Sequence, residues 1–333
     1  MSKYEQFRLE KLDDYPLDSR RSKVSQDSFA RPLSRSGNGG RDGDSPALAD
    51  FFASLPRILA VNELFDLAQA LYRGRGRGRG LIWGFGGHVI KVGLAPVLID
   101  LLERGYVTAL ATNGAGIIHD FEIGLVGHTS EEVEKELETG AFGMARETGE
   151  MLNQCIRQGN AAGLGLGESV GKMLDEQEPR YGDKSLLLQA YRRDVPVTVH
   201  VAIGTDIIHN HPLVSGAALG ESSLRDFRIL TRAVADLDDG GVYVNVGSAV
   251  LLPEVFLKCV SVVRNAGHSL QGFTTANMDF IQHYRPTVNV VGRPVQGHGR
   301  GIALTGHHEI MLPLLAALLT VLEEGQGQLP EQH

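Results

Sequence analysis

The chain has 333 residues, 42% of them hydrophobic, enough to bury a substantial core. Its net charge of −8 and pI near 5.8 argue against a general nucleic-acid or anionic-membrane binder, and no apolar run approaches the length of a membrane span. Two cysteines, Cys155 and Cys259, exclude a thiolate metal cluster, and with no hydrophobic signal core at the start the expected location is the cytoplasm.

Met1 to about Ser45 is rich in Ser, Arg, Asp and Gly without a periodic apolar face, which predicts a mobile arm over 1–45. Residues 46–330 are expected to form a single α/β domain. Leu48 to Tyr72 predicts two amphipathic helical stretches interrupted at Pro56, burying Phe51, Phe52, Leu55, Ile58, Leu64, Leu67 and Leu71. Arg73 to Gly80, RGRGRGRG, has the composition of RNA-binding arginine-glycine segments. On an acidic protein so short a run predicts a solvated loop instead.

From Leu81 onward short apolar runs alternate with helical patterns. Strands are predicted at Leu81–Phe85, Val107–Ala111, Pro196–Ile203, Gly241–Val246, Ser269–Thr274, Thr287–Val291 and Gly301–Thr305. Helices are predicted at Val89–Arg104, Ser130–Gln158, Glu168–Glu176, Lys184–Arg193, Ser222–Leu237, Leu251–Ala266 and Glu309–Glu324. The fold class that follows is a Rossmann-like three-layer α/β/α arrangement with a six- or seven-stranded, mainly parallel sheet. In such sheets ligands bind beyond the carboxyl ends of the strands.

Those ends are alike in chemistry. They carry Gly86-Gly87-His88, then Asn113-Gly114-Ala115 with His119 and Asp120 one turn later. Asp206 with His209 and His211 follows, then Gly247-Ser248, Thr275-Ala276 and finally His307-His308. Each loop pairs a small residue with a hydroxyl, amide, imidazole or carboxylate, which predicts one convergent cleft. In TNGAGIIHDFE, Thr112 to Glu122, a strand ends in a glycine turn that opens a helix, an arrangement suited to a phosphate or other anion. Ala162 to Lys172, AGLGLGESVGK, lacks P-loop spacing and predicts a flexible connection. The His209-x-His211 pair, with His200 and Asp206 nearby, leaves a metal site open as an alternative.

From about Leu81 to Glu324 the order of motifs resembles the deoxyhypusine synthase family, whose fold is related to the NAD-binding domain of sirtuins. The resemblance lies in GLIWGFGGHVIKVGLAPVLIDLLERGYVTALATNGAGIIHDF, VPVTVHVAIGTDII, GFTTANMDF and GIALTGHHEIMLPLLAALL. It implies NAD as cofactor and a homo-oligomer, a tetramer of paired dimers with cofactor sites shared across subunits. The arm could then cover a neighbour's cleft, although its composition suits a free tail equally well. The cofactor contacts it implies are Gly87, His88, Asn113, Gly114, Ala115, Asp206, Thr275, Ala276, His307 and His308, to which the strand-end pattern adds Gly86, Gly247 and Ser248.

The departures from the family matter as much. Its imine-forming lysine, in a Trp-Gly-Lys motif, has no counterpart in Asn289–Val295, and Arg293 cannot replace it because a guanidinium stays protonated. The polyamine-holding acidic loop is shortened to Asn277-Met278-Asp279-Phe280, and paired glutamates become Ile118 and His119. The expectation is therefore an NAD-dependent enzyme of unidentified small-molecule substrate that is not a deoxyhypusine synthase. His119 would be general acid/base, oriented by Asp120 and assisted by His209. The alternatives are a metal-assisted hydrolase using the His200, Asp206, His209 and His211 group, and a non-catalytic nucleotide-binding protein.

Overall fold

The structure, a computed structural model, describes residues 13–20, 22, 24–26, 29 and 44–329. A short 3₁₀ turn at Leu17–Ser19 and strand β1 (Val24–Ser25) precede helices α1 (Asp44–Ser54) and α2 (Leu59–Gly76). Strand β2 (Leu81–Phe85) leads to α3 (Gly87–Lys91) and α4 (Ala95–Glu103), and β3 (Ala109–Asn113) leads to α5 (Gly114–Val126). The short strand β4 (His128–Thr129) is followed by α6 (Val133–Thr139), α7 (Arg146–Ala161), α8 (Leu166–Gln177) and α9 (Leu186–Tyr191). Then come β5 (Val197–His200), α10 (Gly216–Ala235), β6 (Val242–Val246) and α11 (Leu251–Asn265). Strand β7 (Thr274–Asp279), α12 (Tyr284–Pro286), β8 (Arg300–Thr305) and α13 (His308–Glu324) complete the chain.

Six strands form one sheet in the order β5-β3-β2-β6-β7-β8, and every pairing is parallel. Counting only these strands along the chain, the order is 3-2-1-4-5-6, with its reversal between β2 and β6. At such a switch point the loops after the two strands run in opposite directions and leave a crevice. Successive side chains of a strand point to opposite faces, so both faces must be covered. Leu81, Trp83 and Phe85 accordingly join one core with α2, α4 and α13, while Ile82 and Tyr243 join a second with α10 and α11. The Trp83 indole donates to the Tyr106 carbonyl at 2.8 Å, and Tyr243 stacks on Phe256 with centroids 3.7 Å apart.

Several expectations are corrected. Ser269–Thr274 is not the fifth strand, which begins only at Thr274. Thr287–Val291 is not extended but lies in a helical turn, Thr287–Gly292. There Thr287 Oγ1 bonds the His283 carbonyl, Asn289 donates to Glu254, and the Val290 carbonyl accepts from Thr275, so tertiary contacts override β-branched propensity. The patterns over Val89–Arg104 and Ser130–Gln158 are each two helices. Phe51 and Ile58, expected inside, are exposed, whereas Phe52, Leu67 and Leu71 are fully buried. The RGRGRGRG run is helical through Gly76, and its arginines are pinned: Arg75 pairs with Glu323, and Arg79 pairs with Asp239 at 2.7 Å.

Part of the expected mobile arm is packed, and the rest lies outside the described residues. Leu17 is 1% exposed with its amide on Glu147, Tyr15 bridges Ala145, and β1 pairs antiparallel with β4, Val24 opposite Thr129. The reason is a contact no local pattern reveals: Arg20 enters the interior to meet two carboxylates.

Candidate functional site

Beyond the ends of β2, β3 and β5 lies a cavity of about 200 Å³, lined by Lys91, Ala115, His119, Phe142 and Asp206, with Arg20 and Glu122 at its wall. His119 and Glu122 stand three residues apart on α5 and so share a face. His119 Nδ1 lies 2.8 Å from Thr129 Oγ1, and Thr129 donates its hydroxyl proton to Glu122 Oε2. An ionised carboxylate only accepts, so Thr129 must in turn accept from His119 Nδ1–H. This fixes the tautomer and leaves the lone pair on Nε2, the arrangement a general base requires. Burial lowers the His119 pKa to about 4, although Glu122 works in the other direction.

Glu122 is fully buried and held from the other side by Arg20, whose NH2 lies 2.6 Å from Oε2 and NH1 3.0 Å from Oε1. Thr148 donates to Oε1 at 2.9 Å. Arg20 NH1 also donates to Glu131 at 2.9 Å, whose second oxygen accepts from Gly143 N at 2.8 Å. Burial raises the Glu131 pKa above the ordinary range, while its bonds to Gly143 and Arg20 oppose that rise. Between Thr129 and Glu131 stands Ser130, a non-glycine residue at φ 72. Such left-handed backbone costs on the order of 1 kcal/mol or more and persists where flanking contacts dictate it.

The glycine turn opening α5 holds an anion, but the anion is the protein's own. Asn113 Oδ1 accepts from Gly116 N at 3.0 Å, and the Asp206 carboxylate accepts from the Ala115 backbone. Two N–H groups of this turn, those of Ala115 and Gly116, are therefore engaged by side chains rather than free for a phosphate. Burial nevertheless raises the Asp206 pKa above its usual value. A Cβ on Gly114 would fall inside the Asp206 carboxylate. Gly114→Ala is expected to cost about 1–3 kcal/mol, as overpacking does, measured by urea denaturation. An unchanged midpoint would show that Asp206 is not seated there.

A second part of the site is the crevice at the switch point. Gly86 N donates to the Val246 carbonyl at 3.1 Å, and the His308 ring packs so closely on Gly247 that a Cβ there would lie 2.6 Å from it. Gly247 also takes φ +67, the left-handed region that glycine adopts without strain. His308 is 1% exposed, yet neither ring nitrogen has a hydrogen-bond partner among the described residues; Nε2 stands 3.5 Å from Asp279 Oδ1. Asn245 Oδ1, buried in β6, likewise has no hydrogen-bond partner among the described residues. Phe280 is half exposed, parallel to His307 at 6.1 Å and near both His88 and His308. His88 joins the two parts: burial lowers its pKa, and His308 on one side and Lys91 on the other lower it further.

The fold thus brings together Gly86, Gly87, His88, Gly247, His307 and His308 on one side, and His119, Ala115 and Asp206 on the other. It separates other expected members. Asp120 does not orient His119; it is fully buried and accepts from Ser185 Oγ, Leu186 N and Leu187 N, capping α9. Adjacent helical side chains diverge by about 100°, so the two cannot face the same way. His209 does not reach the cavity, since its Nδ1 accepts from Gly204 N and Asp206 N and organises the loop behind Asp206. Thr275 and Ala276 sit inside β7, wholly buried, because the strand begins later than the pattern suggested. Ser248 Oγ accepts from Leu252 N at the start of α11.

The His200, Asp206, His209 and His211 group does not converge. His200 Nε2 meets Thr198 within β5, and His211 lies instead with Asp14 and Glu150. Asp14 there is already paired with Arg146 at 2.7 Å. Residues the sequence reading missed are Arg20, Glu122, Thr129, Lys91, Asp279 and Phe280. The i,i+3 spacing of His119 and Glu122 was a usable signal for one of them; the others are contacts between distant segments.

No family model matches the chain, and no curated protein matches it in sequence. Among solved structures, AgrE in ternary complex with ornithine and NAD+ is similar over 81% of this chain and 35% of its own, at 15% identity and TM-score 0.51. A conserved protein assigned to the LOR/SDH type from Methanococcus maripaludis S2 has TM-score 0.48 at 16% identity, over 89% of this chain and 74% of its own. A chain assigned as a deoxyhypusine synthase from Entamoeba histolytica has TM-score 0.46 at 12% identity, over 85% and 95%. This chain spans about a third of the length of AgrE. At such identity the AgrE likeness is one of fold.

Proposed function

We propose that this chain is an NAD-dependent enzyme acting on a small-molecule substrate, a divergent deoxyhypusine synthase-like protein that is not a deoxyhypusine synthase. The observation that carries the cofactor half is the buried His308, its ring nitrogens without hydrogen-bond partners among the described residues, at the switch point of a 3-2-1-4-5-6 sheet. Buried polar atoms are almost always satisfied, so an imidazole without a hydrogen-bond partner among the described residues suits a polar ligand. The AgrE structure of the same fold was solved with NAD+, which supports the same cofactor class.

We assign Gly86, Gly87, His88, Gly247, His307 and His308 to the cofactor, with Phe280 offering a half-exposed ring on which a planar group can stack. When bound, NAD supplies a hydride acceptor. His119, held by Thr129 and Glu122, accepts a proton at Nε2, and Arg20 pairs with Glu122 in the interior. No lysine lies between Thr275 and His333, so imine formation with an aminobutyl group is not part of the proposal. We take residues 46–330 as one domain and the active form as a homo-oligomer. No helix among the described residues is long and apolar enough to cross a membrane.

Calorimetry with NAD+ tests this reading. The parent protein is expected to bind it, and His308→Ala to bind it at least ~10-fold more weakly, about 1.4 kcal/mol, while still folded. A parent that does not bind NAD+, or a variant that binds it unchanged, rejects the cofactor assignment.

A further inference from the structure

Among the described residues, the charged groups around the His119 cavity are held by hydrogen bonds within the protein, with one exception. Arg20 is paired with Glu122 and Glu131, and the remaining carboxylate oxygens accept from Thr129, Thr148 and Gly143. Asp206 accepts from the Ala115 backbone at the start of α5 and caps its own turn through the His209 backbone. Lys91 is different. It lines the cavity from α3, half-buried, and makes no ion pair or hydrogen bond among the described residues. Its field reaches His119 and His88 alike. Its ammonium therefore has hydrogen-bond donors free to meet an incoming anion.

Size narrows the choice of anion. The cavity holds about 200 Å³, below the roughly 300–1,000 Å³ of clefts that take drug-sized ligands, and Ile118, Phe142 and Ile207 supply apolar wall. A dinucleotide is too large for this volume; a small acid fits here. We propose that Lys91 holds a carboxylate of the substrate, which makes the substrate a small organic acid placed against His119 Nε2. The substrate class rests on the assignment of His119 as base.

The test is calorimetry on the full chain with glycolate, lactate and succinate, each beside its neutral amide. At least one acid is expected to bind, with its amide about tenfold weaker or worse. Lys91→Met, isosteric and uncharged, is expected to lose about tenfold for that acid while the amide and NAD+ bind as before; Lys91→Arg should retain the acid. Failure of all three acids to bind, or acid affinity unchanged in Lys91→Met, overturns the proposal. So does an equal loss of NAD+ affinity, which would give Lys91 to a cofactor phosphate. His119→Gln separates this inference from the reading beneath it. If that variant keeps NAD-linked turnover while Lys91 still discriminates acid from amide, the base assignment fails and the anion site stands.

Discussion

Arg20→Ala is expected to destabilise the protein by about 3–5 kcal/mol, because it leaves Glu122 and Glu131 buried without their cation. Arg20 and Glu122 side chains are 2% and 0% exposed, so water cannot take over the lost contacts. Screening is weak in such an environment, and the loss should persist at high salt. Urea denaturation measures it. Adding Glu122→Gln to Arg20→Ala removes one orphaned charge and should recover part of the loss, since the cost lies in the unpaired carboxylate rather than in the pair itself. A single variant within about 1 kcal/mol of the parent would mean that the segment carrying Arg20 is not docked as described. The same variant should also loosen His119, because Thr129 would then face a carboxylate free to turn.

His119→Gln is expected to lower NAD-linked turnover by roughly 10²–10⁴-fold, the range that general acid/base groups contribute, with folding and NAD+ affinity retained. Glutamine keeps a donor toward Thr129 but has no basic nitrogen. The pH dependence separates this role from a structural one. A free histidine would lose its base form below about pH 6.5. Burial lowers the pKa of His119 to about 4, so the base form persists as pH falls. Turnover in the parent should therefore hold from neutrality to about pH 5 and decline only as pH approaches 4. A limb near 6.5 instead, or turnover that survives the substitution, would remove His119 from the proton-transfer step. Thr129→Val gives a graded check: the proton on Nδ1 loses its acceptor, the tautomer is no longer fixed, and the rate should fall by less than in His119→Gln.

Alternating apolar strand runs and helical patterns were sufficient, by themselves, for a parallel sheet covered on both faces, and Leu81–Phe85 emerged with the bounds it has in the fold. That much is local information, since burial on both faces of a strand and on one face of a helix is written in the period of the apolar residues. The cluster of polar residues at strand ends was legible for the same reason, and it located His88, His119, Asp206 and His308. What each does depends on partners the period cannot reveal. Asp120 looked like the orienting acid because it is next to His119 in sequence, yet a helix turns it toward Ser185; Glu122, three residues on, takes the role. Thr287–Val291 has the composition of a strand and became helical because Thr275 and Glu254 claim its polar groups. The Asn113–Ala115 turn has the form of an anion cradle, and only the tertiary structure shows Asp206 filling it. Arg20 lies 102 residues from Glu122 in a segment with no apolar period, so its docking is decided by one buried charge pair. Sequence determined the layers and the strand ends at which chemistry gathers. The proton-relay partners and the surroundings of Lys91 and His308 were decided by tertiary contacts, whose energies arise between segments that the chain itself holds far apart.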